Sequence, residues 1–162
     1  MVERPGDDTE VSAAARRMWD DDAASRKLGM ELHAAADGQA RVTMRVTGEM
    51  VNGHGMCHGG YLFLLADSAF ACACNSPGPV AVAAAADIVF VASAMTGDVL
   101  EAIATERVAF GRSGVFDVTL GRPRDGAEHG EVRWDTDVTN QEGASVAKYD
   151  VLTLVAKRPK HD

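Results

Sequence analysis

The chain lacks most of what would mark a secreted, membrane-spanning or nucleic-acid-binding protein. Of its 162 residues only three are cysteine, Cys57, Cys72 and Cys74, an odd number confined to one short stretch. That usage fits reduced packing residues better than a disulfide framework. Cys72 and Cys74 stand two apart, so a helix would point them to different sides and they make a poor metal pair. No metal site is expected. No apolar run approaches the ~20 residues of a membrane-spanning helix. The start of the chain, Met1 to Asp8, has no apolar signal region. Basic residues are also scarce: 16 Lys and Arg stand against 24 Asp and Glu, a formal net charge of −8. No basic face is left to neutralise phosphates, which argues against nucleic acid as a partner. The short run Lys157, Arg158 and Lys160 reads as a solvated end. These absences describe a soluble protein of the cytoplasm with no membrane partner.

What is present fits one domain of mixed structure. Residues 1–10 read as a disordered start and 159–162 as a tail, with a single domain over 11–158. Val11, Ala14, Ala15, Met18 and Trp19 recur at helical spacing and predict an amphipathic N-terminal helix, whose acidic end, Asp20 to Asp22, is expected in solvent. Val42, Met44 and Val46 alternate with polar residues from Ala40 to Thr47, which predicts a strand with one wet face. Further strands are predicted at Val80 to Val91 and Asp98 to Phe110. Period-two patterns continue in Val115 to Leu120 and in Val132 to Thr139, and Tyr149 to Ala156 closes the sheet. The class is α+β, a mainly antiparallel sheet wrapped round one long helix.

That helix, about residues 58–75, is the most informative segment. From Tyr61 to Cys74 its only charged side chain is Asp67, and its only other strongly polar one is Ser68. A helix apolar nearly all round is buried on most sides, and Phe63, Leu64, Phe70 and Ala71 stand three and four positions from the carboxylate. An ionised carboxylate there is unfavourable unless it is paired or wetted. His58, Gly59 and Gly60 stand where the helix begins and leave its first N–H groups free to meet an anion or a polarised carbonyl. Gly59 and Asp67 are eight positions apart, roughly 12 Å along the axis, and cannot touch the same carbonyl. If both act on one substrate carbon, they come from two copies of the chain.

The segment Asn52-Gly53-His54, then Cys57-His58-Gly59-Gly60, Phe63, Leu65-Ala66-Asp67, Ala69-Phe70-Ala71 and Cys74-Asn75, resembles the central helix of the hotdog-fold acyl-CoA thioesterases of phenylacetic acid degradation, the PaaI type. The resemblance runs from about Ala14 to about Gly114. It implies hydrolysis of aryl-acetyl-CoA thioesters such as phenylacetyl-CoA or hydroxyphenylacetyl-CoA, with no metal, no bound cofactor and acyl-CoA as substrate. It also implies a homodimer assembled as a dimer of dimers. The family's catalytic aspartate falls on Asp67, its oxyanion-hole amide on Gly59, and its supporting polar residues on Asn52 and His58. Read on their own, His58 either orients the turn or hydrogen-bonds the thioester region, and Asn52 is either a loop cap or a holder of water or of the carboxylate.

The chain departs from that pattern in three places. Ala83 to Ala86 stand where a hydroxyl-bearing residue is usual in the strand after the helix. Ala92-Ser93 stands in place of an Arg-Pro pair, removing one candidate cation for the coenzyme A phosphates. From about Gly121 to Arg158 the chain is more similar to the closing strands of MaoC-type enoyl-CoA hydratases, which also use a hotdog fold. Asp125 and His129 there have the spacing of the hydratase pair, but the glycine-rich loop Gly121 to Gly130 gives them no apolar surroundings, and solvated loop residues are the better reading. An enoyl-CoA hydratase and a non-catalytic acyl-CoA-binding protein are the alternative readings.

Overall fold

The computed structural model describes residues 10–111 and 113–123 with their side chains, and the backbone of 147–154. The first helix, α1 (Ala13–Asp21), starts where the Ser12 hydroxyl accepts the Ala15 N–H at 3.2 Å, and it buries Ala15 and Trp19. A short helix, α2 (Ala23–Lys27), follows at once, because the Asp22 carboxylate accepts the Ser25 N–H at 3.0 Å and caps it. This corrects the expectation that Asp20 to Asp22 all lie in solvent. Asp20 and Asp21 do, but Asp22 is half-buried, since a short carboxylate is a strong acceptor for the free N–H groups of a helix start.

The described strands form one sheet in the order β1-β2-β4-β5-β6-β3, every neighbouring pair antiparallel: β1 (Glu31–Ala36), β2 (Gln39–Arg45), β3 (Asp87–Phe90), β4 (Val99–Phe110), β5 (Ser113–Gly121) and β6 (Ala147–Leu154). A long helix, α3 (Gly59–Asn75), packs on one face against β2, β4 and β5. Period-two alternation explains that face. Val42 and Met44 from β2, Leu100, Ala102 and Ala104 from β4, and Phe116, Val118 and Leu120 from β5 are all buried. From α3, Leu62, Leu65, Ala66, Ala69, Phe70 and Ala73 meet them, and Phe70 sets its ring edge-on to Phe116 with centroids 5.3 Å apart. Each fully buried side chain of Leu or Phe size contributes about 1.5–3 kcal/mol, so this layer supplies much of the stability. The arrangement is the expected hotdog: a mainly antiparallel sheet around a central helix.

Two strands differ from the sequence reading. β1 has no alternation to read, because its pairing with β2 slips between Leu32 and Ala34 and its second half is three alanines. The strand expected over Val80 to Val91 shrinks to Asp87–Phe90. Asn75, at the end of α3, takes the backbone of Ala81 for itself: its amide donates to the Ala81 carbonyl at 3.0 Å and accepts the Ala81 N–H at 2.9 Å. From Val82 to Ala86 the chain joins no ladder among the described residues, and Ala83 to Ala86, with little side chain to pack, lie exposed. The strand expected at Val132 to Thr139, the loop residues Asp125 and His129, and the two chain ends, 1–9 and 155–162, lie outside the described residues. Among those described, no helix is long and apolar enough to cross a membrane.

The position of β6 yields a prediction about the hydratase-like tail. β6 does not extend an edge; it lies between β5 and β3, paired from Ser113↔Leu154 to Leu120↔Ala147 on one side and from Asp87↔Asp150 to Phe90↔Ala147 on the other. A chain ending at Arg122 leaves both neighbours with unpaired backbone groups in the middle of the sheet. It is expected to lose its cooperative melt, followed by circular dichroism. A truncated chain that melts cooperatively and retains activity would make the tail an appendage.

Candidate active site

The turn that opens α3 is built from its own backbone. Asn52 folds the loop before it, its side-chain oxygen accepting the N–H groups of His54 at 2.9 Å and Met56 at 3.3 Å. Gly55 occupies the left-handed region, φ +76°, which lets the loop turn back so that the Asn52 N–H reaches the Met56 carbonyl at 2.7 Å. Cys57 is tied to the segment after β3, its N–H donating to the Ala94 carbonyl at 2.7 Å, and the His58 N–H donates to the Met50 carbonyl at 2.8 Å. The Asn52 oxygen thus caps this loop.

His58 is the N-cap of α3, and its Nδ1 accepts the Gly60 N–H at 3.1 Å. The neutral imidazole then carries its proton on Nε2. The His58 ring thus holds the backbone of the turn through the Gly60 N–H. Gly59 is the first residue of α3, so its N–H has no partner within the helix and lies at the positive end of the helix dipole. A Cβ at Gly59 would stand 3.0 Å from Cζ of Phe90, whose half-exposed ring from β3 covers this turn. Phe90 was not legible as a site residue, because it sits in an ordinary run of β-formers.

Asp67 is two turns further along α3, half-buried, on a stripe with Gly60, Phe63, Leu64 and Ala71. The helix is therefore not covered all round: this stripe stays partly open, Phe63 being 36% exposed, as do Gly59 and Tyr61 at the helix start. Burial first, and the nearby Asp22 carboxylate second, hold the Asp67 carboxyl above the usual aspartate range. A carboxyl so placed is a stronger base than an ordinary aspartate when ionised. The structure brings Asn52, His58 and Gly59 together at the head of the helix and leaves Asp67 of the same chain about 12 Å along the axis.

The cysteines serve packing. All three are free and buried, and burial pushes the Cys72 and Cys74 thiols up to about 12, so they stay protonated. Beside Ala92-Ser93, a cation does stand nearby in space. Arg122 reaches the Ser93 carbonyl and pairs with Asp98, and the guanidinium holds the Asp98 carboxyl below its usual range. Among the described residues, no group of three or more His, Cys, Asp or Glu is gathered.

Comparison with known proteins agrees with this geometry. The model of the thioesterase superfamily matches residues 54–127, from the loop before α3 to beyond β5. The acyl-coenzyme A thioesterase PaaI of Escherichia coli (strain K12) is 46% identical over 106 residues, 65% of this chain and 76% of that protein. The solved structure of the E. coli PaaI protein from the phenylacetic acid degradation operon superposes with a TM-score of 0.75 at 36% identity, covering 90% of this chain and 92% of that one. A hypothetical thioesterase from Streptococcus pneumoniae, solved with coenzyme A, superposes with a TM-score of 0.64 at 26% identity over 80% of this chain and 90% of that one. By the family match, the 46% identity and the superposition, the chain belongs to the thioesterase superfamily, as a hotdog-fold protein of the PaaI type.

Proposed function

We propose that this chain is a cytoplasmic hydrolase of acyl-CoA thioesters, aryl-acetyl thioesters such as phenylacetyl-CoA and hydroxyphenylacetyl-CoA first among them, and that each active site is shared by two copies. The observation that carries the reading is the pairing, on one helix, of an open N–H at Gly59 with a half-buried, hydrocarbon-flanked carboxylate at Asp67. Coenzyme A is bound by one structural relative and named in the activity of another, which supports the thioester class.

In the proposed step, the thioester carbonyl oxygen lies on the Gly59 N–H of one copy, where the helix dipole and the amide stabilise the developing negative charge. One such donor contributes roughly two to three powers of ten in rate. Asp67 of the other copy faces the carbonyl carbon. It either takes a proton from water as the new C–O bond forms, or attacks directly to give an anhydride that water then opens; both routes need the ionised oxygen. The C–S bond breaks, and the departing thiolate takes up a proton as free acid and coenzyme A leave. His58 and Asn52 hold the turn that presents the amide. Two protein groups and water suffice for this step, without a cofactor.

Sharing requires a homodimer, and the surface favours one. Among the described residues β3 is an edge strand with Val89 and Phe90 exposed, followed by exposed Val91, and Phe63 lies exposed on the α3 stripe. An exposed apolar edge strand is a template for a second chain, and contiguous apolar patches mark protein contacts. Pairing β3 with β3 lays one α3 stripe beside the other. Val108 and Phe110, exposed at the far end of β4, offer a second surface for a dimer of dimers.

Incubation with phenylacetyl-CoA and a thiol reagent, in parallel with a crotonyl-type enoyl-CoA, tests the reading. Free thiol release from phenylacetyl-CoA, with the enoyl absorbance unchanged, is expected. Loss of enoyl absorbance without thiol would make the protein a hydratase, and saturable binding with neither would make it a binding protein.

A further inference from the structure

The corner between α1 and α2 carries a buried polar chain that thioester hydrolysis, as proposed above, does not use. The Asp22 carboxylate accepts the Ser25 hydroxyl at 2.5 Å, and the Ser25 and Ser68 hydroxyls are 2.8 Å apart. Ser25 has one proton and gives it to Asp22, so Ser68 must donate to Ser25. The direction of the whole chain is thereby fixed, from α3 through α2 to the carboxylate. Ser25 and Ser68 are 0% and 6% exposed. Hydroxyls so deeply buried are unfavourable unless each is satisfied, whereas a pair of alanines would pack α2 on α3 without that requirement. Ser68 directly follows Asp67, so the chain ends on the helix turn that holds the carboxylate.

We propose that Asp22 is a positioning residue for Asp67, tying the helix turn that holds that carboxylate to its own charged group through Ser25 and Ser68. The proposal rests on the reading of Asp67 as the catalytic carboxylate. The strands under α3 present apolar side chains to it, Val42, Met44, Leu100, Phe116 and Val118 among them. The charged and titratable groups acting on this part of α3, among the described residues, are Asp22 and Arg16 from the helical corner and the thiols of Cys72 and Cys74. Arg16 acts on Cys72, and the thiols stay protonated, which leaves Asp22 as the charge bearing on Asp67. Like charges oppose each other's ionisation. Removing the Asp22 charge therefore makes Asp67 ionise at lower pH.

Asp22→Asn keeps a capping oxygen and loses the charge. In the full-length protein, the Asp67 carboxyl midpoint is read by carbon NMR without turnover, and kcat/KM for phenylacetyl-CoA is read against pH. Both the carboxyl midpoint and the acid limb are expected to move to lower pH. A merely structural role for Asp22 would lower the plateau and leave the midpoints where they are. If Asp22→Asn does not fold, Asp22→Ser, which also caps a helix, is read in the same way. An unmoved or raised carboxyl midpoint in a variant that melts cooperatively overturns the proposal. Full turnover in Asp67→Asn would instead remove Asp67 from the mechanism while leaving any carboxyl shift in place, so the two failures are told apart.

Discussion

Replacing Asp67 by Asn is expected to lower kcat for phenylacetyl-CoA by about 10²–10⁴-fold, the usual contribution of a positioned base, with KM little changed. Asn keeps the shape of the side chain and its hydrogen-bonding capacity but cannot accept a proton from water or attack a carbonyl. The same substitution should also raise the melting temperature at neutral pH. Burial, and then Asp22, raise the Asp67 pKa above its unfolded value. The folded state therefore favours the protonated carboxyl. Relative stability from this group is present below the unfolded pKa and is lost as pH rises through the folded one, so at neutral pH the ionised carboxylate destabilises the fold. A variant that is less active and more stable is the signature of a functional carboxylate held in an unfavourable place. Calorimetry at pH 7 and at a pH below the aspartate range separates the two, because the gain in melting temperature should vanish in acid. Undiminished turnover would remove Asp67 from the mechanism, whatever its effect on stability.

The central helix was legible because its pattern is local: a histidine-glycine-glycine start, a run of apolar residues and one carboxylate, all within a single element. Strands β2, β4 and β5 were legible for a related reason, since each buries one face and so alternates in sequence. β1 was not, because its bulge and its alanines erase the alternation that burial normally writes. The shortening of β3 was hidden in the Asn75 side chain, which captures the Ala81 backbone and so acts through a contact that no periodicity reports. Among the candidate site residues, His58, Gly59 and Asp67 stand out by residue type and spacing, and Asn52 by the family resemblance. Asp22 could not: a run of three acids reads as a solvated helix end, and only the fold brings its last member to Ser25 and Ser68. Phe90 was missed likewise, since what sets it apart is the absence of a Cβ on Gly59, in a different element.

If the amide and the carboxylate of one active site come from two chains, mixing two inactive variants restores activity. The first variant is Asp67→Asn. The second is Gly59→Pro, which deletes the oxyanion N–H at the one helical position where proline is well tolerated. His58 before it is already extended, φ −63° and ψ 133°, as a residue preceding proline must be. The added Cβ meets the ring tip of Phe90, a side chain that can turn aside. Each variant alone is expected to be nearly inactive. In an equal mixture with free exchange, half of the dimers carry both chains, and one of the two sites in each has an intact amide and an intact carboxylate, so about a quarter of wild-type activity is expected. No recovery of activity, in a mixture shown by differently tagged chains to have exchanged subunits, would contradict the shared site.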